Sequence, residues 1–328
     1  MTVLITGGGG FIGSHLVDHL LAETEAEILV LDDFSTGDVD NLAHVESDRL
    51  DVRNGDVRDV EVVAEAVSDA DEIYHLAAAV GVQNVVDNPL ESLQINLHGT
   101  ENVLEAASED GTPTFLASSS EIYGKSEDLP FSESDDRVVG PTTVTRWGYT
   151  TAKATDEFLA LSYHDKYDLP VVIGRYFNIV GPRQTGEYGM VIPTFVEQAL
   201  AGEPLTVYGD GTQTRSFTHV ADAVQVTHQL LETPAAYGEV FNVGAPQPIS
   251  INELAERVLE LTGSDSEIVH VPFEEAYSED FEEPDHREPD VSKLESLLGW
   301  APGADLDRIL RDVIEAQAEA PVDLEAVR

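Results

Sequence analysis

Tyr149 and Lys153, in Tyr149-Thr150-Thr151-Ala152-Lys153, have the types and spacing for proton chemistry. At i and i+4 they share one face of a helix. An ammonium beside a phenol favours the phenolate, so Tyr149 is expected to have a lowered pKa and to serve as a general base towards a substrate hydroxyl. Lys153 is one of only four lysines in the chain. Upstream, Phe115 to Gly124 reads as a strand end running into Ser118-Ser119-Ser120-Glu121. Ligands of open α/β sheets bind outside the carboxyl ends of strands. A hydroxyl there can hydrogen-bond the reacting oxygen and relay its proton, whereas Ser118 is expected only to satisfy backbone groups.

A second chemistry sits at Thr6-Gly7-Gly8-Gly9-Gly10-Phe11-Ile12-Gly13. Val3, Leu4 and Ile5 read as a short buried strand, and Phe11, Ile12, Leu16, Val17, Leu20 and Leu21 fall at helical spacing. A glycine-rich turn between strand and helix cradles phosphate: its N–H groups and the helix N-terminus attract an anion, and the missing Cβ atoms let a pyrophosphate approach. Gly7, Gly10 and Gly13 follow G-x-x-G-x-x-G, one residue longer than the common dinucleotide fingerprint. Leu29-Val30-Leu31-Asp32-Asp33 follows about twenty residues on, where a dinucleotide site needs a carboxylate for the adenosine ribose. A carboxylate there repels a 2′-phosphate, and no Arg or Lys lies between Asp32 and Asn41. The expected cofactor is therefore NAD rather than NADP, with Lys153 placed to bond the nicotinamide ribose.

The elements that must position these residues alternate. Strand-like runs occur at 3–5, 28–31, 72–76, 114–117, 171–173 and 240–243, with helical patterns between the first five. This predicts an α/β fold, a Rossmann-type doubly wound parallel sheet with a smaller, interleaved substrate-binding domain. Residues 1–177 are expected to form the NAD-binding domain, with a returning segment near 218–250, and 178–328 mainly the substrate-binding domain. Long helices are expected at 89–107, packing through Leu90, Leu93, Leu97, Val103 and Leu104, and at 147–167, through Phe158, Leu159 and Leu161. They suit either a dimer face or a cover for the sheet. The acidic, proline-punctuated run 264–290 is expected to be surface loop.

Composition bounds the rest. The 328 residues carry 17 basic and 63 acidic side chains, a formal net charge of −46, with 42% hydrophobic content. The acidic residues are scattered rather than gathered in a tail, which predicts adaptation to molar salt, where the Debye length shrinks to about 3 Å. Apolar content and periodicity argue against a disordered acidic chain, and the charge argues against nucleic acid as a partner. There is no cysteine, hence no disulfide and no thiolate metal site, and no metal is expected. No apolar run approaches a membrane span. With no membrane partner and no room for a signal peptide before the first strand, a cytoplasmic location is expected.

Together these residues resemble the extended short-chain dehydrogenase/reductase superfamily, in its nucleotide-sugar epimerase/dehydratase branch. The resemblance runs from Thr6 to about Trp300. It rests on Thr6–Gly13, Gly55-Asp56-Val57, His75-Leu76-Ala77-Ala78, Asn96 with Gly99-Thr100, Ser118–Gly124, and Tyr149 with Lys153. It implies that Asp56 and Val57 flank the adenine, that Leu76, Ala77 and Ala78 line the cofactor path, and that Asn96 bonds backbone or water near the cofactor. Ser119 takes the position that acts with the tyrosine. In the second half it implies that Asn178 and Arg215 reach the substrate diphosphate, with Arg287 as a second arginine. Val191 would contact the nucleotide, and Tyr208 would pack on its base. Arg183 is equally suited to a surface ion pair.

The implied chemistry is transient oxidation of a nucleotide sugar at C4, with NAD retained. Glu121 discriminates among outcomes. Dehydratases of this branch carry Asp-Glu after the Ser/Thr, whereas here Ser120-Glu121 stands, as in the decarboxylase pattern, and Arg146-Trp147-x-Tyr149 agrees with that pattern. Val191-Ile192-Pro193 and the second half look more like the epimerases. The expectation is a UDP-glucose/UDP-galactose-type 4-epimerase working as a homodimer. The alternatives are a UDP-glucuronate decarboxylase or a related dehydratase and, remotely, an NAD-binding regulator.

Overall fold

The structure is a computed structural model that describes residues 1–81, 85, 87–186, 190–272 and 286–319. In chain order its first half contains β1 (Thr2–Thr6), α1 (Phe11–Glu23), β2 (Glu27–Asp32), β3 (Leu50–Asn54), α2 (Val60–Ser68), β4 (Glu72–His75), α3 (Pro89–Asp110), β5 (Thr114–Ser119), α4 (Trp147–Tyr167) and β6 (Val171–Tyr176). The second half contains β7 (Ile179–Val180), α5 (Val191–Ala201), β8 (Leu205–Tyr208), β9 (Thr214–Ser216), β10 (Thr218–His219), α6 (Val220–Leu231), β11 (Glu239–Val243), β12 (Pro248–Ser250), α7 (Ile251–Thr262), β13 (Ile268–Val271), β14 (His286–Arg287), α8 (Ser292–Leu298) and α9 (Leu306–Glu319).

Strands of a parallel sheet covered on both faces read as continuous apolar runs. Val3, Leu4 and Ile5 are each 0% exposed, and β1 lies inside a seven-stranded parallel sheet of order β11-β6-β5-β4-β1-β2-β3. Alternation then divides the core. Val3 and Ile5 pack with Leu16 and Leu20 of α1 and Val220 and Val224 of α6 on one face. Leu4 packs with Val63 of α2, Val103 and Leu104 of α3 and Ala160 of α4 on the other. The helices α3 and α4 cover that face and pack against each other. Leu90 on α3 and Phe158 on α4 are left exposed rather than packed against the sheet. A third core, with Ile192 and Phe195 of α5, Leu254 of α7 and Leu310 of α9, lies beside the two-stranded pairing of β8 with β13.

Eight strands of the described residues, β3, β7 to β10 and β12 to β14, lie outside the expected runs. β3 reads Leu-Asp-Val-Arg-Asn and sits at the sheet edge, largely exposed, so it lacks the apolar run of its neighbours. Within 264–290, expected as loop, β13 pairs with β8 and β14 pairs with β9. The remainder of that run, 273–285, lies outside the described residues.

Exposed carboxylates dominate the surface, and their mutual repulsion opposes the compact state unless salt screens it. Transfer from molar to millimolar salt is expected to lower Tm, measured by calorimetry. An unchanged Tm would show that the net charge of −46 is locally compensated.

Candidate active site

The strand-to-helix turn after β1 leaves no room for side chains. A Cβ on Gly13 would stand 2.1 Å from the Gly7 carbonyl oxygen, and one on Gly7, whose φ is +74°, would stand 2.7 Å from Ala77 N. Gly10 caps α1 without a side-chain hydrogen bond, so bare backbone faces the cavity. Asp32, buried at the end of β2, accepts hydrogen bonds from Gly9 N and Phe34 N, both at 2.8 Å. Burial pushes its carboxyl up against those two bonds. These groups line one cavity of about 1020 Å³, together with Phe11, Ile12, Asp56, Val57, Leu76, Ala77 and Ala78.

Ser119, Glu121, Tyr149 and Lys153 line the same cavity. Ser119 ends β5 and caps the short 3-10 turn that follows, its Oγ accepting from Glu121 N at 3.2 Å. Tyr149 and Lys153 lie on α4, with Ser119 beside the Tyr149 hydroxyl. Lys153 Nζ donates to the Ala117 carbonyl at 3.2 Å and pairs with Asp156 at 3.4 Å. The phenol is not lowered as the spacing suggested. Burial pushes the Tyr149 pKa well up, and the Glu121 carboxylate raises it further, against the Ser119 hydrogen bond. The ammonium charge is already countered by Asp156, which itself adds to the rise.

Glu121 is the hub of a cationic cluster. One carboxylate oxygen pairs with Arg287 and the other with Arg146 at 3.3 Å; both arginine side chains are almost fully buried. Arg215 and Arg287 are register partners on adjacent β9 and β14 and both line the cavity. Burial opposes ionisation of Glu121, but Arg287, Arg146 and Arg215 together hold it down at about 2. Around this residue arginine outnumbers carboxylate, in a chain whose net charge is −46.

Asn178, Val191 and Tyr208 also line the cavity; Asn178 donates to the Ser216 carbonyl at 2.9 Å. Asn96 bonds backbone, as the resemblance implied. It is fully buried, and its amide is spent on both backbone groups of Ala79, at 3.0 and 3.3 Å, so it braces the cavity wall instead of facing a cofactor. Ser118 donates to the Glu157 side chain at 2.5 Å rather than to backbone groups as expected, and Glu157 pairs with Arg175, a structural role all the same. Arg183 pairs with Asp18 and bonds the Asn41 carbonyl, consistent with an ion pair, although it too borders the cavity. Gln213, two residues before Arg215, and Phe217 join the lining without having been singled out in the sequence.

A doubly wound sheet, a glycine cradle and a Ser-Tyr-Lys set on one cavity define an extended short-chain dehydrogenase/reductase. The chain matches the family described as GDP-mannose 4,6 dehydratase over residues 4–313, and it belongs to that nucleotide-sugar epimerase/dehydratase family. It is 41% identical over 314 residues to UDP-N-acetyl-alpha-D-glucosaminuronate decarboxylase of Bacillus cytotoxicus, covering 95% of this chain and 96% of that one. It is 38% identical over 302 residues to UDP-glucuronic acid decarboxylase 4 of Arabidopsis thaliana, covering 92% of this chain and 65% of the longer plant chain. Among solved structures, UDP-glucuronic acid 4-epimerase from Bacillus cereus, in complex with UDP-glucuronic acid and NAD, matches with a TM-score of 0.86. That match has 29% identity and covers 96% of this chain and 98% of the other.

Proposed function

We propose that this protein is an NAD-dependent enzyme that decarboxylates a UDP-hexuronate of the UDP-glucuronate type through a transient 4-keto sugar. The observation that carries this reading is the pairing of both Glu121 carboxylate oxygens with buried arginines, Arg287 and Arg146, which keeps Glu121 ionised. A carboxylate so firmly ionised is no acid for expelling water, which a dehydratase needs. Loss of CO2 from a β-keto acid needs no acid on the leaving group. The arginine excess also suits a substrate with a diphosphate and a carboxylate. The similarity to two uronate decarboxylases supports the same choice over the expected 4-epimerase.

The backbone of Gly7, Gly10, Phe11, Ile12 and Gly13 would hold the cofactor pyrophosphate and Asp32 the adenosine ribose, with Asp56 and Val57 at the adenine. Leu76, Ala77 and Ala78 would line its path, and Tyr149 and Lys153 would meet the nicotinamide ribose. NAD+ when bound supplies reversible hydride acceptance at the sugar C4. Tyr149 takes the 4-hydroxyl proton while the Ser119 hydroxyl holds that oxygen. With C4 a ketone, the C5–C6 bond breaks, CO2 leaves, and the electron pair passes to C5 and the C4 oxygen. The Ser119 and Tyr149 hydroxyls steady that developing charge. C5 then gains a proton from solvent water, and Tyr149 returns its own to the C4 oxygen as the ketone is reduced. Asn178, Arg215 and Arg287 would hold the diphosphate, and Val191 and Tyr208 the base.

A 4-epimerase is the second reading, favoured by the likeness to the Bacillus cereus enzyme and by a Ser-Tyr-Lys set sufficient for it. Incubation with UDP-glucuronate, UDP-N-acetylglucosaminuronate and UDP-glucose, followed by NMR in molar salt, tests the choice. A decarboxylated pentose product supports it; a C4-inverted sugar of unchanged mass refutes it.

The setting is proposed to be a salt-rich cytoplasm. Among the described residues no helix is long and apolar enough to cross a membrane. Leu90 and Phe158, 68% and 63% exposed on α3 and α4, support a homodimer across these helices. Light scattering in molar salt is expected to give the dimer mass, and a monomer mass would refute it.

A further inference from the structure

Asp156 belongs to none of the motifs above, yet it is 0% exposed and stands 3.4 Å from the Lys153 ammonium. Neither of its oxygens makes a hydrogen bond of good geometry among the described residues, so the ammonium is its principal partner. A carboxylate placed in such surroundings costs stability unless it serves the pair. On the same face of the sheet, His75 Nδ1 meets the Thr6 hydroxyl at 2.7 Å and its Nε2 meets Thr100 at 3.1 Å. Burial holds that imidazole neutral, at about 3, so it offers Asp156 no second charge.

We propose that Asp156 is a positioning residue for Lys153, a buried counter-ion that holds the ammonium back from Tyr149 and so sets the pH at which Tyr149 becomes a base. This rests on the reading of Tyr149 as the base. Lys153 has two anchors, the Ala117 carbonyl and Asp156, and the second offsets its charge one turn away from the phenol. The other charges facing this group are known. Glu157, next to Asp156, is neutralised by Arg175. On the far side of Tyr149, Glu121 raises the phenol and Arg287 lowers it. Burial raises the Asp156 carboxyl, and Lys153 draws it back towards ionisation.

The sign follows from charge alone. Removing the Asp156 carboxylate removes a repulsion on the phenolate and uncovers the full field of Lys153. Both favour the phenolate and lower the Tyr149 pKa. In Asp156→Asn the acidic limb of the kcat–pH profile is expected to move down by about one pH unit, the low end for a close single charge. Below the wild-type limb the variant then turns over faster than wild type, by up to about tenfold. Asp156→Glu, which keeps the charge, should keep the wild-type limb. Ultraviolet titration of the phenolate, as the difference between each protein and its Tyr149→Phe counterpart, reads the same shift without turnover. Asp156→Ser removes charge and bulk together and must shift the limb likewise should the amide not fold. A limb and a phenolate titration unmoved by either variant, with Tyr149→Phe inactive, overturns the role of Asp156 alone. An active Tyr149→Phe overturns the assignment of the base and this inference with it.

Discussion

Tyr149→Phe is expected to lower kcat by about 10³-fold, within the range a positioned acid–base group contributes, and to leave Tm nearly unchanged. The phenol lines the cavity with its hydroxyl beside Ser119, so the ring's packing survives while the proton acceptor is lost. Wild-type kcat should rise with pH on the acidic side, because burial and Glu121 push the phenol upward and the base is the phenolate. The variant should lose that dependence. Steady-state rates across pH, with thermal melts of both proteins, check this. A variant within about threefold of wild type would remove Tyr149 from the chemistry, since a factor that small lies far below what acid–base catalysis supplies.

Glu121→Gln should cost more than activity. It preserves shape but leaves Arg146 and Arg287, both nearly buried, without the anion between them. Breaking one partner out of such a pair costs roughly 3 kcal/mol, at the low end because Glu121 retains some solvent access. Turnover of a UDP-hexuronate should fall about 10²-fold, the scale of losing a preorganised electrostatic group. An enzyme that merely inverted C4 would tolerate the amide. The stability effect has a pH signature. Glu121 titrates near 2 when folded against an ordinary 4.5, so its contribution is complete above about 4.5 and lost as pH falls towards 2. Chemical denaturation at a series of pH values should show the wild-type advantage over Glu121→Gln shrinking through that window. A gap constant with pH would contradict the ion-pair account.

Much of this was legible in the chain because the parts obey local rules. Thr6–Gly13 needs only a strand, a turn without Cβ atoms and a helix, and Asp32 follows at the expected interval. Tyr149 and Lys153 lie one turn apart on α4, where their spacing put them. What escaped was set by partners distant in sequence. The lowered phenol inferred from Lys153 fails because the fold buries Tyr149 and brings Glu121 to it from the end of β5, with Asp156 on the same helix adding to the rise. The cluster of Arg146, Arg215 and Arg287 around Glu121 joins residues more than 160 positions apart, although each arginine was visible singly. β3 alternates charge at an exposed edge, and β14 is two residues long, so neither carries the apolar signal of a covered strand. Asn96 was expected to bond backbone or water, and its amide bonds both backbone groups of Ala79.

The central claim, loss of the sugar carboxylate, is tested most directly with UDP-glucuronate carrying an isotopic label at C6. Carried out in molar salt, with NAD+ and without added reductant, the reaction is predicted to release the label as CO2 in step with a UDP-pentose. Label retained in a product inverted at C4 would contradict the account and make the protein an epimerase.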